Sequence, residues 1–492
     1  MVNLRNTFAC LLGALLAPSV VLAADSEAWK TRSIYFVLTD RFAKTSSSST
    51  TACSSLSSYC GGTWKGMEQR LDYIKGLGFD AIWITPIVAN TDGGYHGYWA
   101  KDLYSVNTNY GSAADLTSLI TAAHNKGMYI MVDIVANHMG AGDVTTFNPF
   151  NNDGYYHTNC DITDYSNQAN VEYCRIAGLP DIKTEDSNVR SIFQSWIKNL
   201  VSTYQIDGLR LDTVKHVEKD FWSGFTSAAG VFSIGEVYQG DPAYVGPYQN
   251  YMSSLVNFPM YYVITDAYAR KASFQPLVDQ HNSVSNNFAR PELLGMFIDN
   301  HDVQRFLSIN SDWTLLKNAL AFTMLSRGIP ILYGGTEQAY TGGNDPANRE
   351  DLWRSGYSTT HDLYTFTAKL MAAKKAAGGL GANDHVHLYV TANAYAFSRA
   401  GGKVVVLTTN NGSGTSGQHC FNTGVASGTV FTSALGTATY TAGSSGNICV
   451  NVSNGQPEVL VSGVTLTTTT TAASTPTTTA GTCVTVTATV YQ

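Results

Sequence analysis

Charge is scarce in this chain. Asp, Glu, Lys and Arg together make up 14% of its 492 residues, and the formal net charge is −7. So small and slightly acidic a charge content excludes the basic surface that nucleic-acid binding requires, and it favours a neutral partner. Apolar residues at 44% exclude a disordered chain. Long apolar runs are scarce as well: one covers 8–22, and no later stretch approaches the roughly 20 residues that a membrane-spanning helix needs. That run follows Arg5 and ends in Val21-Leu22-Ala23, a small-residue cleavage signal, so residues 1–23 are predicted to be a secretory signal peptide. The remainder is expected to be secreted, extracellular, monomeric and free of the membrane.

Cysteine is sparse, at eight residues, and removal of the signal would take Cys10. In an oxidising compartment the short sequential pairings Cys53 with Cys60, Cys160 with Cys174 and Cys420 with Cys449 are the simplest set, which leaves Cys483 over. Asn411 and Asn451 open N-x-S/T triplets compatible with glycosylation. What the chain has in plenty is aromatic residues, 28 Tyr and 8 Trp. Flat rings with a polar tip suit the apolar faces of sugars as well as a core, which is their commoner use.

The length predicts two or three folded units. Eight short runs rich in β-branched and aromatic residues recur at 34–38, 81–85, 129–135, 208–211, 232–235, 255–258, 294–298 and 329–332. Amphipathic stretches at 67–76, 114–126 and 189–204 lie between them, so strand and helix alternate as in a parallel (β/α)8 barrel. The third and fourth runs are about twice as far apart as the others. The excess, 139–188, is rich in Asn, Asp, Gly and Tyr and reads as a small domain inserted after strand three, leaving 24–138 and 189–378 for the barrel. Alternating segments at 386–390, 394–398 and 403–408 predict a C-terminal antiparallel β-sandwich over 379–464. A Thr/Ala/Ser/Pro tract at 465–480 reads as a linker, and 481–492 is too short to fold alone.

In such a barrel the functional residues trail the strands. Strand two is followed by His96, Gly97, Tyr98 and Trp99, strand three ends in 133–138, strand four in 208–216, strand five in 235–237 and strand seven in 299–302. Asp212, Glu236 and Asp302 therefore reach one rim. A lone Asp after a strand is more often a turn former or helix cap; three acids on one rim form a pattern. Retaining glycoside hydrolysis needs two carboxyl groups in different protonation states about 5–5.5 Å apart, a separation that neighbouring strands supply. Arg210 lies two residues from Asp212, so both point the same way, and its charge should keep Asp212 ionised. Apolar flanks and nearby negative charges should raise the pKa of Glu236.

The segments 133–138, 208–216, 235–237 and 297–302 resemble the four short conserved regions of the α-amylase family of glycoside hydrolases. Further segments at 33–42, 59–64, 207–222, 241–251 and 342–350 resemble its secreted fungal members of the Taka-amylase type. The resemblance implies an endo-acting hydrolase of α-1,4-glucans with Asp212 as nucleophile, Glu236 as general acid and base, and Asp302 as stabiliser of the transition state. It also implies that His96, His138 and His301 donate to sugar hydroxyls and that Tyr98 stacks on the ring. Trp99, Arg210, Lys215, His216, Gly240, Asp345 and Arg349 resemble further substrate-site positions. Asn137, Glu172, Asp181 and His216 match the family's calcium ligands, the second and fourth through backbone carbonyls, and oxygen ligation is what Ca²⁺ accepts.

Three departures from the pattern stand out. The loop between Pro86 and His96 is short, Gly246 replaces a family cysteine, and Asp299 and the pair Tyr238-Gln239 replace the usual residues. The tail resembles the start of a starch-binding module, and truncation of a longer protein would explain the unpaired Cys483. A 4-α-glucanotransferase would use the same three acids. A non-catalytic glucan-binding protein predicts the loss of at least one of them, and all are present.

Overall fold

The computed structural model describes residues 24–466; the predicted signal peptide, all but the first two residues of the predicted linker, the final segment and Cys483 lie outside them. Eight parallel strands form the catalytic core: β1 (Ile34–Val37), β2 (Ala81–Ile84), β3 (Tyr129–Ile134), β4 (Gly208–Leu211), β5 (Phe232–Gly235), β6 (Ser254–Leu255), β7 (Gly295–Met296) and β8 (Ile329–Tyr333). They are hydrogen-bonded in the order β6-β5-β4-β3-β2-β1-β8-β7, and a parallel bridge between Val256 and Gly295 links the two ends. The sheet is a (β/α)8 barrel, and each predicted run overlaps one strand. Both faces of these strands are buried, which is why they read as continuous apolar runs. Ile34, Phe36, Trp83, Met131 and Ile234 pack inside the barrel, whereas Tyr35, Ile82, Val132 and Leu209 face the helices.

The helix predicted over 67–76 is two helices, α1 (Trp64–Glu68) and α2 (Leu71–Gly76), because Arg70 leaves helical geometry at φ −116° and ψ 11°. The other two are continuous: α3 (Ala113–Asn125), opened by a Ser112–Asp115 capping box, and α5 (Ser187–Tyr204), capped by Asp186. The segment 139–188 holds one short helix, α4 (Gln168–Tyr173), and is tied together by the disulfide Cys160–Cys174. Further round the barrel come α6 (Lys219–Ala229), α7 (Phe258–Ile264), α8 (Gln275–Asn287), α9 (Trp313–Leu325) and α10 (Asp362–Ala376). Gly246 has no room for any side chain: a Cβ there would lie 2.1 Å from the carbonyl oxygen of Asn287 at the end of α8.

The C-terminal domain is antiparallel, as expected, with unequal layers. Strands β9 (Val386–Val390), β10 (Ala394–Arg399), β11 (Val404–Thr409), β13 (Val430–Ser433), β14 (Thr439–Thr441) and β16 (Glu458–Val461) make a six-stranded sheet in the order β9-β10-β11-β16-β13-β14. The second layer is a two-stranded ribbon, β12 (Gly417–Asn422) with β15 (Asn447–Val452), in which Cys420 and Cys449 are cross-strand partners and form a disulfide. Strand alternation divides the sheet: Ala394, Ala396, Val405 and Leu407 pack towards the ribbon, and Tyr395, Phe397, Val404 and Val406 towards the barrel. Cys53 and Cys60 form the third disulfide.

Candidate active site

The strand registers decide which side chains meet at the rim. Asp133 on β3 is level with Arg210 on β4, which is level with Ile234 on β5, and all three point inwards. Asp212 and Glu236 follow one step further along the same face, on neighbouring strands about 4.8 Å apart. Strands so spaced can supply the carboxyl separation of about 5–5.5 Å that a retaining glycosidase needs.

Arg210 is 1% exposed and sits under both acids. Its Nη1 donates to Asp212 Oδ1 at 2.6 Å and to Asp133 Oδ1 and Oδ2 at 3.0 and 3.1 Å, while Nη2 lies 3.1 Å from Glu236 Oε1. Asp133 is itself fixed by Trp83 Nε1 at 3.0 Å and the Tyr98 hydroxyl at 2.8 Å. The guanidinium is thus committed to carboxylates, and Arg210 lies beneath the cleft instead of lining it. Thr213, held in the left-handed region at φ 46°, turns its backbone N–H to Glu236 Oε2 at 3.2 Å.

One cation among three carboxylates cannot keep all of them ionised. Burial pushes the Glu236 carboxyl up to about 8, with the charges of Asp212 and Asp302 adding to the rise and Arg210 opposing it. Asp302 is raised as well, by burial, against the pull of Arg349, whose Nη2 is 3.3 Å from Asp302 Oδ1. Arg349 also binds Asp345 at 3.1 Å and the backbone carbonyl of His301 at 3.0 Å, so it fixes the far wall.

The cleft above these acids has a volume of about 680 Å³. Of the residues singled out in sequence, His96, Tyr98, Trp99, His138, Asp212, Lys215, His216, Glu236, His301, Asp302, Asp345 and Arg349 all line it. Tyr98 is stacked between His301, at 5.2 Å, and His96, at 5.7 Å. Burial drives the His96 imidazole down to about 3 and His216 to about 4, with His138 and His301 lowered too, so these rings are neutral hydrogen-bonding groups at neutral pH. Both nitrogens of His216 and Nδ1 of His301 are buried without a protein partner. Gly240 is not brought into the cleft: its N–H is taken by Gln239 Oε1 and its carbonyl by Gln280. Tyr165, Ile176, Ala177 and Leu179 from the insertion, with Thr213, line the cleft too. Of these, Thr213 falls within the 208–216 segment already marked in sequence, and none of the other four was singled out there.

Beside the cleft, Asn137 Oδ1 lies 2.8 Å from the His216 carbonyl oxygen and 3.2 Å from Asp181 Oδ1. Three oxygens without a proton between them repel. Turning the amide over would place its NH₂ on both oxygens; with Oδ1 turned towards them, the trio is the kind of oxygen set that a hard cation accepts. Asp181 Oδ2 is held by His157 Nδ1 at 2.6 Å. Glu172 turns its carboxylate to Gln168, and its backbone carbonyl lies in the last turn of α4, where no helical donor remains. The donor set fits Ca²⁺.

The residues 36–390 match the model of the alpha amylase catalytic domain, and 387–479 match alpha-amylase domain C. The chain belongs to the alpha-amylase family. It is 42% identical over 459 residues to an alpha-amylase of Saccharomycopsis fibuligera, a match covering 89% of this chain and 92% of that one. An alpha-amylase 1 of Lipomyces kononenkoae is 49% identical over 360 residues, 70% of this chain, although the match spans only 58% of that longer protein. The solved structure of an alpha-amylase from Malbranchea cinnamomea superposes with a TM-score of 0.87 at 41% identity, covering 89% of this chain and 98% of that one. The alpha-amylase fold thus accounts for the barrel, the C-terminal sheet and the position of the cleft at the carboxyl ends of the strands.

Proposed function

We propose that the protein is a secreted, endo-acting α-amylase that hydrolyses α-1,4-glucosidic bonds of starch and related glucans with retention. The observation that carries this is the single buried Arg210 fork holding Asp212 at 2.6 Å and Glu236 at 3.1 Å on neighbouring strands. In the first step Asp212 Oδ attacks the anomeric carbon as the glycosidic C–O bond breaks, and Glu236 gives its proton to the departing oxygen. In the second, the Glu236 carboxylate takes a proton from water, the resulting hydroxide attacks the same carbon, and the ester to Asp212 breaks. Two inversions at one carbon give net retention. Asp302, anchored by Arg349, binds sugar hydroxyls and faces the cationic ring of the transition state, and the neutral His96 and His301 donate to hydroxyls, whereas the Nε2–H of His138 is already given to the Tyr98 carbonyl at 3.1 Å.

Calcium would be held by Asn137, Asp181 and the carbonyls of Glu172 and His216, and it would supply a fixed charge tying the insertion to the barrel. Three disulfides suit a secreted protein, and no helix among the described residues is long and apolar enough to cross a membrane. The test is Asp212→Asn and Glu236→Gln on soluble starch. Each is expected to lose activity by more than about a hundredfold, and activity within about tenfold of the parent would overturn the assignment. Maltoheptaose digestion adds the second readout: shorter products only are expected, and longer oligosaccharides appearing early would mean a 4-α-glucanotransferase.

A further inference from the structure

Three histidines outside the cleft converge where the C-terminal domain meets the barrel. His281 lies on α8, His385 just ahead of β9 and His387 within it, and one nitrogen of each falls within 4.8 Å of the other two. The ring centroids are 4.2 Å apart for His281 and His385, 5.0 Å for His281 and His387, and 5.1 Å for His385 and His387. His281 is 3% exposed, yet neither of its ring nitrogens has a hydrogen-bond partner, and His385 Nδ1 has none either. Buried polar atoms left this way are costly and rare, and each needs a reason.

The surroundings supply what metal-bound imidazoles require. Tyr395 Oη lies 2.7 Å from His385 Nε2 and 2.7 Å from His387 Nδ1. A hydroxyl oxygen with two lone pairs can accept both N–H groups, which orients the rings and leaves His385 Nδ1 without a partner, while His387 Nε2 lies 3.3 Å from Asn282 Oδ1, a contact that a bound ion would replace. Arg327 donates to the His281 carbonyl at 3.2 Å, and Arg399, the other nearby cation, is paired with Asp384 at 2.7 Å.

We propose that His281, His385 and His387 bind a transition-metal ion of the Zn²⁺ class, which ties helix α8 of the barrel to the first strand of the C-terminal domain. Ligation by nitrogen alone selects zinc, copper or nickel over calcium, so this site is chemically separate from the oxygen set around Asn137. Tetrahedral zinc with Zn–N near 2.0–2.1 Å places its ligand nitrogens about 3.4 Å apart, so nitrogens that now lie within 4.8 Å of one another close in by at most about 1.4 Å on binding. His387 is only partly buried, which leaves the fourth position to water.

The test uses the full chain in saturating calcium, with Co²⁺ as the spectroscopic stand-in for Zn²⁺. One Co²⁺ per chain is expected, with the intense visible bands of a four-coordinate ion, displaced by one equivalent of Zn²⁺; Zn²⁺ also raises the melting temperature. His387→Gln and His281→Gln are each expected to weaken binding by more than about tenfold, the lower end of what even outer partners of a metal ligand contribute, with starch activity unchanged. His387→Gln decides the matter if His281→Gln does not fold. The proposal is overturned if the parent shows no such spectrum. It is equally overturned if His387→Gln binds within about tenfold of the parent, since the ion then sits elsewhere, on the cleft histidines.

Discussion

Replacing Glu236 by Gln should make the protein more stable as well as inactive, and the size of the gain can be worked out from the site. In the fold the Glu236 carboxyl keeps its proton up to about pH 8, whereas its ordinary value, which applies in the unfolded chain, is 4.5. Between those values the native state binds a proton that the unfolded state has released. Stability therefore falls as pH rises through this window and is undiminished below it. At pH 7 the gap amounts to about 2.5 pK units, or about 3 kcal/mol at 1.36 kcal/mol per unit. Gln is neutral at every pH and is spared that cost.

Part of the gain is offset, because Gln presents one oxygen where the carboxyl faces both Arg210 Nη2 and the Thr213 N–H, and a lost hydrogen bond costs about 1 kcal/mol. The net expectation is about 2 kcal/mol at pH 7 and nothing or a slight loss near pH 4. The assay is a pair of thermal melts of parent and Glu236→Gln across that range in saturating calcium, where titrating groups remote from the rim cancel. A rise of several degrees at pH 7 that shrinks on acidification supports the reasoning. A variant that melts at or below the parent at pH 7, or a gain independent of pH, refutes it.

Exhaustive chelation should lower the melting temperature of the parent, since an ion at a hundred times its Kd contributes about 2.7 kcal/mol, and Asn137→Ala should abolish most of that response; equal responses in both would remove calcium from this position. Gly246→Ala should destabilise by roughly 1–3 kcal/mol, the usual cost of overpacking, because its Cβ would lie 2.1 Å from the Asn287 carbonyl oxygen; an unchanged denaturation midpoint would show that α8 yields freely.

The barrel was legible in the sequence because parallel strands buried on both faces must be apolar throughout. That Asp212, Glu236 and Asp302 share one cleft was legible because each trails one of those runs. The helix break at Arg70 was not, since the apolar pattern of 67–76 continues through it. Gly240 was placed in the cleft by resemblance alone, and its backbone groups are spent on Gln239 and Gln280. The three histidines carried no signal, because more than a hundred residues separate His281 from His387 and only the docking of the C-terminal sheet on α8 brings them together.

Arg210 marks the boundary between what alternation can predict and what register adds. Two-residue spacing puts Arg210 and Asp212 on one face, and from that alone the arginine should serve one acid. The cross-strand registers bring in Asp133 from β3 and Glu236 from β5, so one positive charge is divided among three carboxylates. The division is unequal. Asp212 receives the shortest contact, at 2.6 Å, and Glu236 the longer one, at 3.1 Å, although both are buried to the same degree, at 7% exposure. Glu236 is thereby pushed towards the form that keeps its proton, while Asp212 keeps the arginine's closest contact, the difference that the proposed acid and nucleophile require. The same inequality sets the stability cost at Glu236, so activity and destabilisation at this rim share one physical origin.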